Sequence, residues 1–175
     1  MKHFSVVVLF VLLSSLVQGS DLSGFVAWNH SGDLTTAASS IEVDNYSTLG
    51  VRYEKTFLGI FGFENTLAYT RGIMVPADAS EEDDGLYYSG AFVLNIPVGR
   101  LVPNFAWGLG FLHRFGDSFP DTGTSFLTNW GIGVKFRELA GPLGLRFDYR
   151  RLKLYDVLDE DFNTQELSGG VILTF

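Results

Sequence analysis

No cysteine occurs in this sequence, which excludes a disulfide framework, thiolate metal ligation and a cysteine nucleophile. Charge is sparse as well, at 18% of residues, and its basic share is the smaller one. Twelve Lys and Arg face 20 Asp and Glu, and no basic stripe forms, so nucleic acid is not an expected partner. Nothing points to a bound cofactor or metal. After residue 19 there is no apolar run long enough for a helical membrane span.

What is abundant is apolar, aromatic and small. Across 175 residues, 46% are hydrophobic, with 20 glycines, 16 Phe, 7 Tyr and 3 Trp. That richness in aromatics, with so little charge, is unlike a disordered chain, and the length suits one domain. Lys2 and His3 precede a run, Phe4–Leu13, that is apolar except for Ser5. Val17-Gln18-Gly19 then offers compact residues at the −3 and −1 positions of a cleavage site. Residues 1–19 are therefore expected to be a signal peptide cleaved near Gly19, and 20–175 a single domain with no appended module.

From Leu22 onward the apolar period is two, and glycine and β-branched residues are too frequent for long helices. In Tyr46–Phe57, Leu49, Val51, Tyr53 and Phe57 oppose Thr48, Gly50, Arg52 and Glu54. The same alternation marks Ile60–Thr70, where Asn65 interrupts the apolar face, and also Leu86–Ile96, Leu101–Leu112, Phe126–Phe136, Leu143–Arg150 and Gln165–Phe175. Leu22–Asn29, of unclear parity, makes eight strands. Short connections near Leu58-Gly59, 97–100 and 138–142 alternate with longer polar ones at 29–45, 71–85, 113–125 and 153–164. This predicts an all-β fold: an eight-stranded antiparallel up-and-down transmembrane β-barrel with short periplasmic turns and long extracellular loops.

The polar face decides between this barrel and a soluble one. Glycine, small residues and charges of both signs (Arg52, Glu54, Glu64, Arg146, Asp148, Arg150 and Glu166) suit a crowded interior with an ion-pair network. The opposite face is almost uncharged over its middle, as lipid demands. Aromatic residues are expected in two girdles: Trp28, Tyr69, Tyr88, Phe111, Phe126 and Tyr149 near the outer rim, Phe57, Phe61, Phe63, Phe105, Phe136 and Phe175 near the inner rim. Fourteen of the 20 acidic residues fall in the long loops, whereas Lys55, Arg100, Lys135 and Arg137 mark the short-turn end.

The signal peptide, the alternating strands and the ending Ser168-Gly169-Gly170-Val171-Ile172-Leu173-Thr174-Phe175 resemble the small eight-stranded outer-membrane barrels, such as OmpX-like proteins and the OmpA membrane domain. The resemblance covers essentially the whole mature chain. It implies a monomer in the bacterial outer membrane among lipids and lipopolysaccharide. It also implies insertion by the barrel assembly machinery, which would read Ser168, Gly170, Leu173 and Phe175 as an assembly signal. Leu173 departs mildly, since an aromatic residue is frequent there.

Other chemistry is weaker. Glu81-Glu82-Asp83-Asp84 lacks the spaced ligands of a defined cation loop and suits a solvated acidic loop better. Arg71, Arg114, Arg151 and Lys153, just above the expected outer rim, could meet lipopolysaccharide phosphates. A lipid-modifying enzyme would need a nucleophile and base. The mature chain offers only His30, near Ser31 and Asp33, and His113 as bases, so neither a Ser-His-Asp arrangement nor the His-Ser-Asn motif of lipid A deacylases can be assigned. The sequence thus favours a non-catalytic structural or surface-interaction role. An OmpW-like conduit for small or apolar molecules and a lipid A-modifying enzyme are the alternatives.

Overall fold

The structure is a computed structural model that describes residues 17–31, 34–35, 40–41, 45–72, 84–115, 123–157 and 160–175. Its strands are β1 (Val17–Ser31), β2 (Leu34–Thr35), β3 (Ser40–Ile41), β4 (Tyr46–Phe57), β5 (Phe61–Arg71), β6 (Asp84–Asn95), β7 (Leu101–Phe115), β8 (Thr124–Ala140), β9 (Leu143–Val157) and β10 (Glu160–Thr174). Eight of them, β1 and β4 to β10, close into one barrel in which every neighbouring pair is antiparallel. The remaining two form a small separate hairpin, with Leu34 opposite Ile41.

Closure fixes the stagger. A row starting at Asn29 passes through Glu166, Arg150, Gly131, Ala106, Val93, Gly62 and Thr56. It returns to β1 between Val17 and Ser20, about ten residues lower. Such a stagger tilts the strands and, with only eight of them, leaves an interior that side chains can fill. The last seam ends with Ser20 and Phe175 exchanging backbone hydrogen bonds of 2.7 and 2.9 Å.

One end is turned tightly. Leu58 and Gly59 both take positive φ between Phe57 and Phe61, a turn that favours glycine at one of its positions. A register shift after Phe136, with Glu138 at φ 56°, bends β8 into its turn to β9. At the other end the strands run further than the hydrophobic pattern indicates. The segment expected as a long polar loop at 153–164 is mostly strand, because β9 reaches Val157 and β10 starts at Glu160. Alternation of polar with aromatic or aliphatic residues persists there, but so many acids read as a loop in the sequence. Residues 73–83 and 116–122 lie outside the described part, as does most of the proposed signal peptide.

Candidate functional site

The barrel wall sorts side chains by parity. Inward on β4 point Tyr46, Thr48, Arg52, Glu54 and Thr56; outward point Leu49, Val51 and Tyr53. On β1, where the sequence left the parity open, Asp21, Ser23, Phe25, Ala27 and Asn29 are buried, while Leu22, Val26 and Trp28 are exposed. The core of this protein is therefore its lumen, and its exterior is apolar around the whole circumference.

Two layers fill the lumen. In the first, Arg52 reaches across from β4, donating from Nη1 to Asp148 Oδ2 at 2.9 Å and from Nη2 to Glu166 Oε1 at 2.5 Å. The same guanidinium lies 3.7 Å above the Phe25 ring. Arg146 binds Asp148 through Nε and Glu64 through Nη2, each at 2.7 Å, and Arg150 Nη2 meets Glu64 Oε1 at 2.7 Å. Gly131 makes the room: a Cβ there would stand 2.6 Å from Arg150 Cγ and 2.4 Å from the Tyr149 carbonyl oxygen. Arg52, Glu54, Glu64, Arg146, Asp148, Arg150 and Glu166 are all buried in the lumen. Six are linked at close range through Arg52, Arg146 and Arg150, and Glu54, the seventh, lies 3.8 Å from Arg146.

Glu54 belongs to a cluster nearer the short-turn end that sequence reasoning missed. Lys135, completely buried, donates to Glu54 Oε2 at 2.5 Å, Asp21 Oδ2 at 3.2 Å and Asn95 Oδ1 at 3.1 Å. Arg137 also holds Asp21, and Thr174 donates to the other Asp21 oxygen at 2.8 Å. Lys135 and Arg137 thus face this buried cluster instead of simply marking a charged rim. Their parity partner Gly133 already signalled the inward face of β8, but Asp21 sits on the strand whose alternation was ambiguous. Together, five carboxylates meet five cations in these two clusters.

The second layer is apolar. Tyr46, Tyr87, Leu112, Leu127, Leu152, Leu154 and Phe162 pack inside the loop end of the barrel above the ions. The void that Tyr46, Tyr87 and the four leucines line together with Asn29, Thr48, Thr70 and Glu166 is about 10 Å³, roughly the space of one water molecule. Arg114, expected above the outer rim facing lipid headgroups, instead points inward and is buried, because β7 continues its alternation to Phe115.

Outside, Trp28, Tyr69, Tyr88, Phe63, Phe105, Phe111 and Phe126 are exposed, and Phe57, Phe61, Phe136 and Tyr149 are half-buried against their neighbours. Phe111 and Phe126 meet edge to face across β7 and β8. Asn65, which interrupts the apolar face, accepts from the Tyr88 hydroxyl at 3.0 Å, and Gln165 accepts from Tyr149 at 2.9 Å. Polar groups in this belt are paired locally, as a hydrocarbon surrounding requires. Of the terminal residues, Ser168 faces the lumen and donates toward the Asp148 carbonyl at 3.5 Å; Gly170 lies tight against Phe25; Leu173 and Phe175 face out.

The histidines do not meet. His30 Nδ1 bonds Asn45 at 2.7 Å on one side of the barrel, and His113 Nδ1 bonds Thr124 at 2.9 Å on another. Glu81, Glu82 and Asp83 fall outside the described residues; Asp84 opens β6 and accepts from the Tyr69 hydroxyl. Among the described residues no group of three or more His, Asp or Glu could hold a metal ion.

Solved structures share this architecture. Neisserial surface protein A matches with a TM-score of 0.66 at 15% identity, covering 90% of this chain and 99% of that one. This chain has the fold of the eight-stranded outer-membrane barrels. Ail, the attachment invasion locus protein of Yersinia pestis, matches at 0.56 and 17% identity, covering 90% and 98%. The outer membrane enzyme PagL matches at 0.57 and 16% identity, covering 87% and 98%. No protein-family profile matches the sequence, and none of the curated proteins does. A surface protein, an attachment protein and an enzyme on one outer-membrane barrel fold show that the wall alone does not select an activity.

Proposed function

We propose that this chain is a sealed, integral barrel of the bacterial outer membrane with a structural or surface-interaction role and no catalytic one. The observation that carries this reading is the filled bore. Among the described residues, a paired ionic layer lies beneath a largely apolar one whose void is about 10 Å³, a packing that opposes a continuous water path. An ion entering that end would be largely desolvated against Tyr87, Leu112 and Leu154 before it reached Glu166 and the ion pairs beneath.

The exterior supports the membrane side of the proposal. Val26, Leu49, Phe92, Trp107, Ile132 and Val171 are more than half exposed or close to it, on six different strands. A surface of that kind is far beyond the apolar patches of soluble proteins. Export by a signal peptide, insertion by the barrel assembly machinery, contact with outer-membrane lipids and lipopolysaccharide, and a monomeric state complete the reading. Planar-bilayer recording on the folded barrel is its test: silence is expected, and steady unitary conductance would return the OmpW-like conduit to the front. Lipid A profiles that change on deletion of the protein would favour the enzymatic alternative instead.

A further inference from the structure

Two depressions lie on the outward surface of the same seam. The upper one, near the loop end, has a volume of about 510 Å³ and is bordered by His30, Trp130, Arg151, Lys153, Asn163 and Gln165. Arg151 is exposed, and among the described residues it has no carboxylate partner. Lys153 holds Asp161 at 2.7 Å, with both side chains largely in the open. Gln165 uses its carbonyl oxygen on Tyr149, which leaves its amide N–H groups free to donate into the cleft. The result is a set of donors with net positive charge on the outside of a membrane barrel.

The lower depression, about 710 Å³, is apolar and runs over Gly24, Val26, Leu49, Val51, Leu67, Gly169 and Val171. It opens because Gly24 and Gly169 leave no side chain on β1 and β10. Nothing lies within 4 Å of where a Gly24 Cβ would be, and a Gly169 Cβ would only touch Phe147 at 3.5 Å. The two depressions share β1 and β10. Four residues separate His30 from Val26 and Gln165 from Gly169, or about 13 Å along a strand. Trp28 and Leu167, opposite each other in register and both exposed, bridge that span with an apolar surface.

We propose that this seam binds one phosphorylated glycolipid of the outer leaflet. Arg151, Lys153 and the Gln165 amide would take its phosphate in the upper cleft, and an acyl chain would descend past Trp28 and Leu167 into the glycine-floored groove. This rests on the membrane reading above and names a lipid that the barrel selects. The charge calls for an anion at the depth where headgroups lie, and the groove beneath calls for a chain attached to it. A soluble phosphate would satisfy only the first half. Of the four cations expected near headgroups, Arg151 and Lys153 border the cleft, whereas Arg114 is buried in the lumen and Arg71 does not line it.

The test reconstitutes the full chain in phosphatidylcholine vesicles containing bis-phosphorylated lipid A, or the same lipid A after phosphatase treatment. Lipid retained after detergent extraction is read by native mass spectrometry. Retention of the phosphorylated form alone is expected, falling about tenfold in Arg151→Ala/Lys153→Ala through loss of charge-assisted hydrogen bonds. Gly24→Leu fills the groove without a clash and is expected to lower retention with the cations intact. Equal retention of both lipids, or retention unchanged in the double variant, overturns the proposal. So does displacement of lipid A by inorganic phosphate in Gly24→Leu and the parent alike, which would mark a free-phosphate site. Unheated gel mobility of each variant reports folding separately: a chain that stays folded in buffer without detergent would sink the membrane reading itself.

Discussion

Glu64 lies between two guanidiniums: its Oε2 is 2.7 Å from Arg146 Nη2 and its Oε1 is 2.7 Å from Arg150 Nη2. Without it Arg150 would keep only Asp148 at 3.8 Å, and Arg146 would rely chiefly on Asp148, which Arg52 also claims. Removing one member of such a buried set leaves the others uncompensated. Glu64→Ala is therefore expected to cost ~3–5 kcal/mol, read from urea unfolding of the barrel in lipid vesicles. A loss below 1 kcal/mol would mean that water already solvates this layer.

Lys135 makes a parallel case with an internal control. Lys135→Met takes from Glu54 its nearest cation, leaves Asp21 to Arg137, and is expected to destabilise by ~3–5 kcal/mol. Adding Glu54→Gln should recover part of that loss, because the carboxylate that lost its nearest cation is then neutral. A double variant less stable than the single one would contradict the pairing.

On the outer face, Leu109 sits on the middle of β7, opposite Gly90 and Thr128. Leu109→Arg is expected to oppose insertion by ~2–4 kcal/mol. Yield of the fast-migrating unheated band measures it, and undiminished yield would place this face away from lipid.

Glycine sites should divide into two kinds. A Cβ at Gly133 would stand 2.3 Å from Asp148 Oδ1, so Gly133→Val is expected to push that carboxylate off its arginines and destabilise by ~1–3 kcal/mol. Gly24→Val, in open space, should leave unfolding nearly unchanged. Equal effects would show that the inward crowding does not matter.

Deleting Phe175 removes the backbone exchange with Ser20 that ends the β1–β10 seam. Less assembled barrel with normal export is the expected outcome, assayed by fractionation and heat-dependent mobility.

Most of the wall was legible in the sequence because period-two alternation is a local property: from Tyr46 to Phe57 each residue's side follows from its neighbour's. What the lumen contains at each level was not legible. Phe25 is inside and Trp28 outside, yet both are aromatic, and only pairing with β10 and β4 sets the parity of β1. Arg114 was misjudged, and the cluster around Lys135 missed, for a related reason. Both are charges near strand ends, where an exposed rim and a buried interior carry the same residue types, and the strand's true length decides between them.

The span of the Arg52 contacts bears on how the ring comes together. Its partners Asp148 and Glu166 are 96 and 114 residues away along the chain, on strands reached only after the ribbon has curled round. A half-built sheet would hold that cation with no anion opposite, so partial rings gain little and the finished circle gains at once. Assembly should therefore be slow and all-or-none, with the two edge strands kept apart until the ionic rivets can be set together.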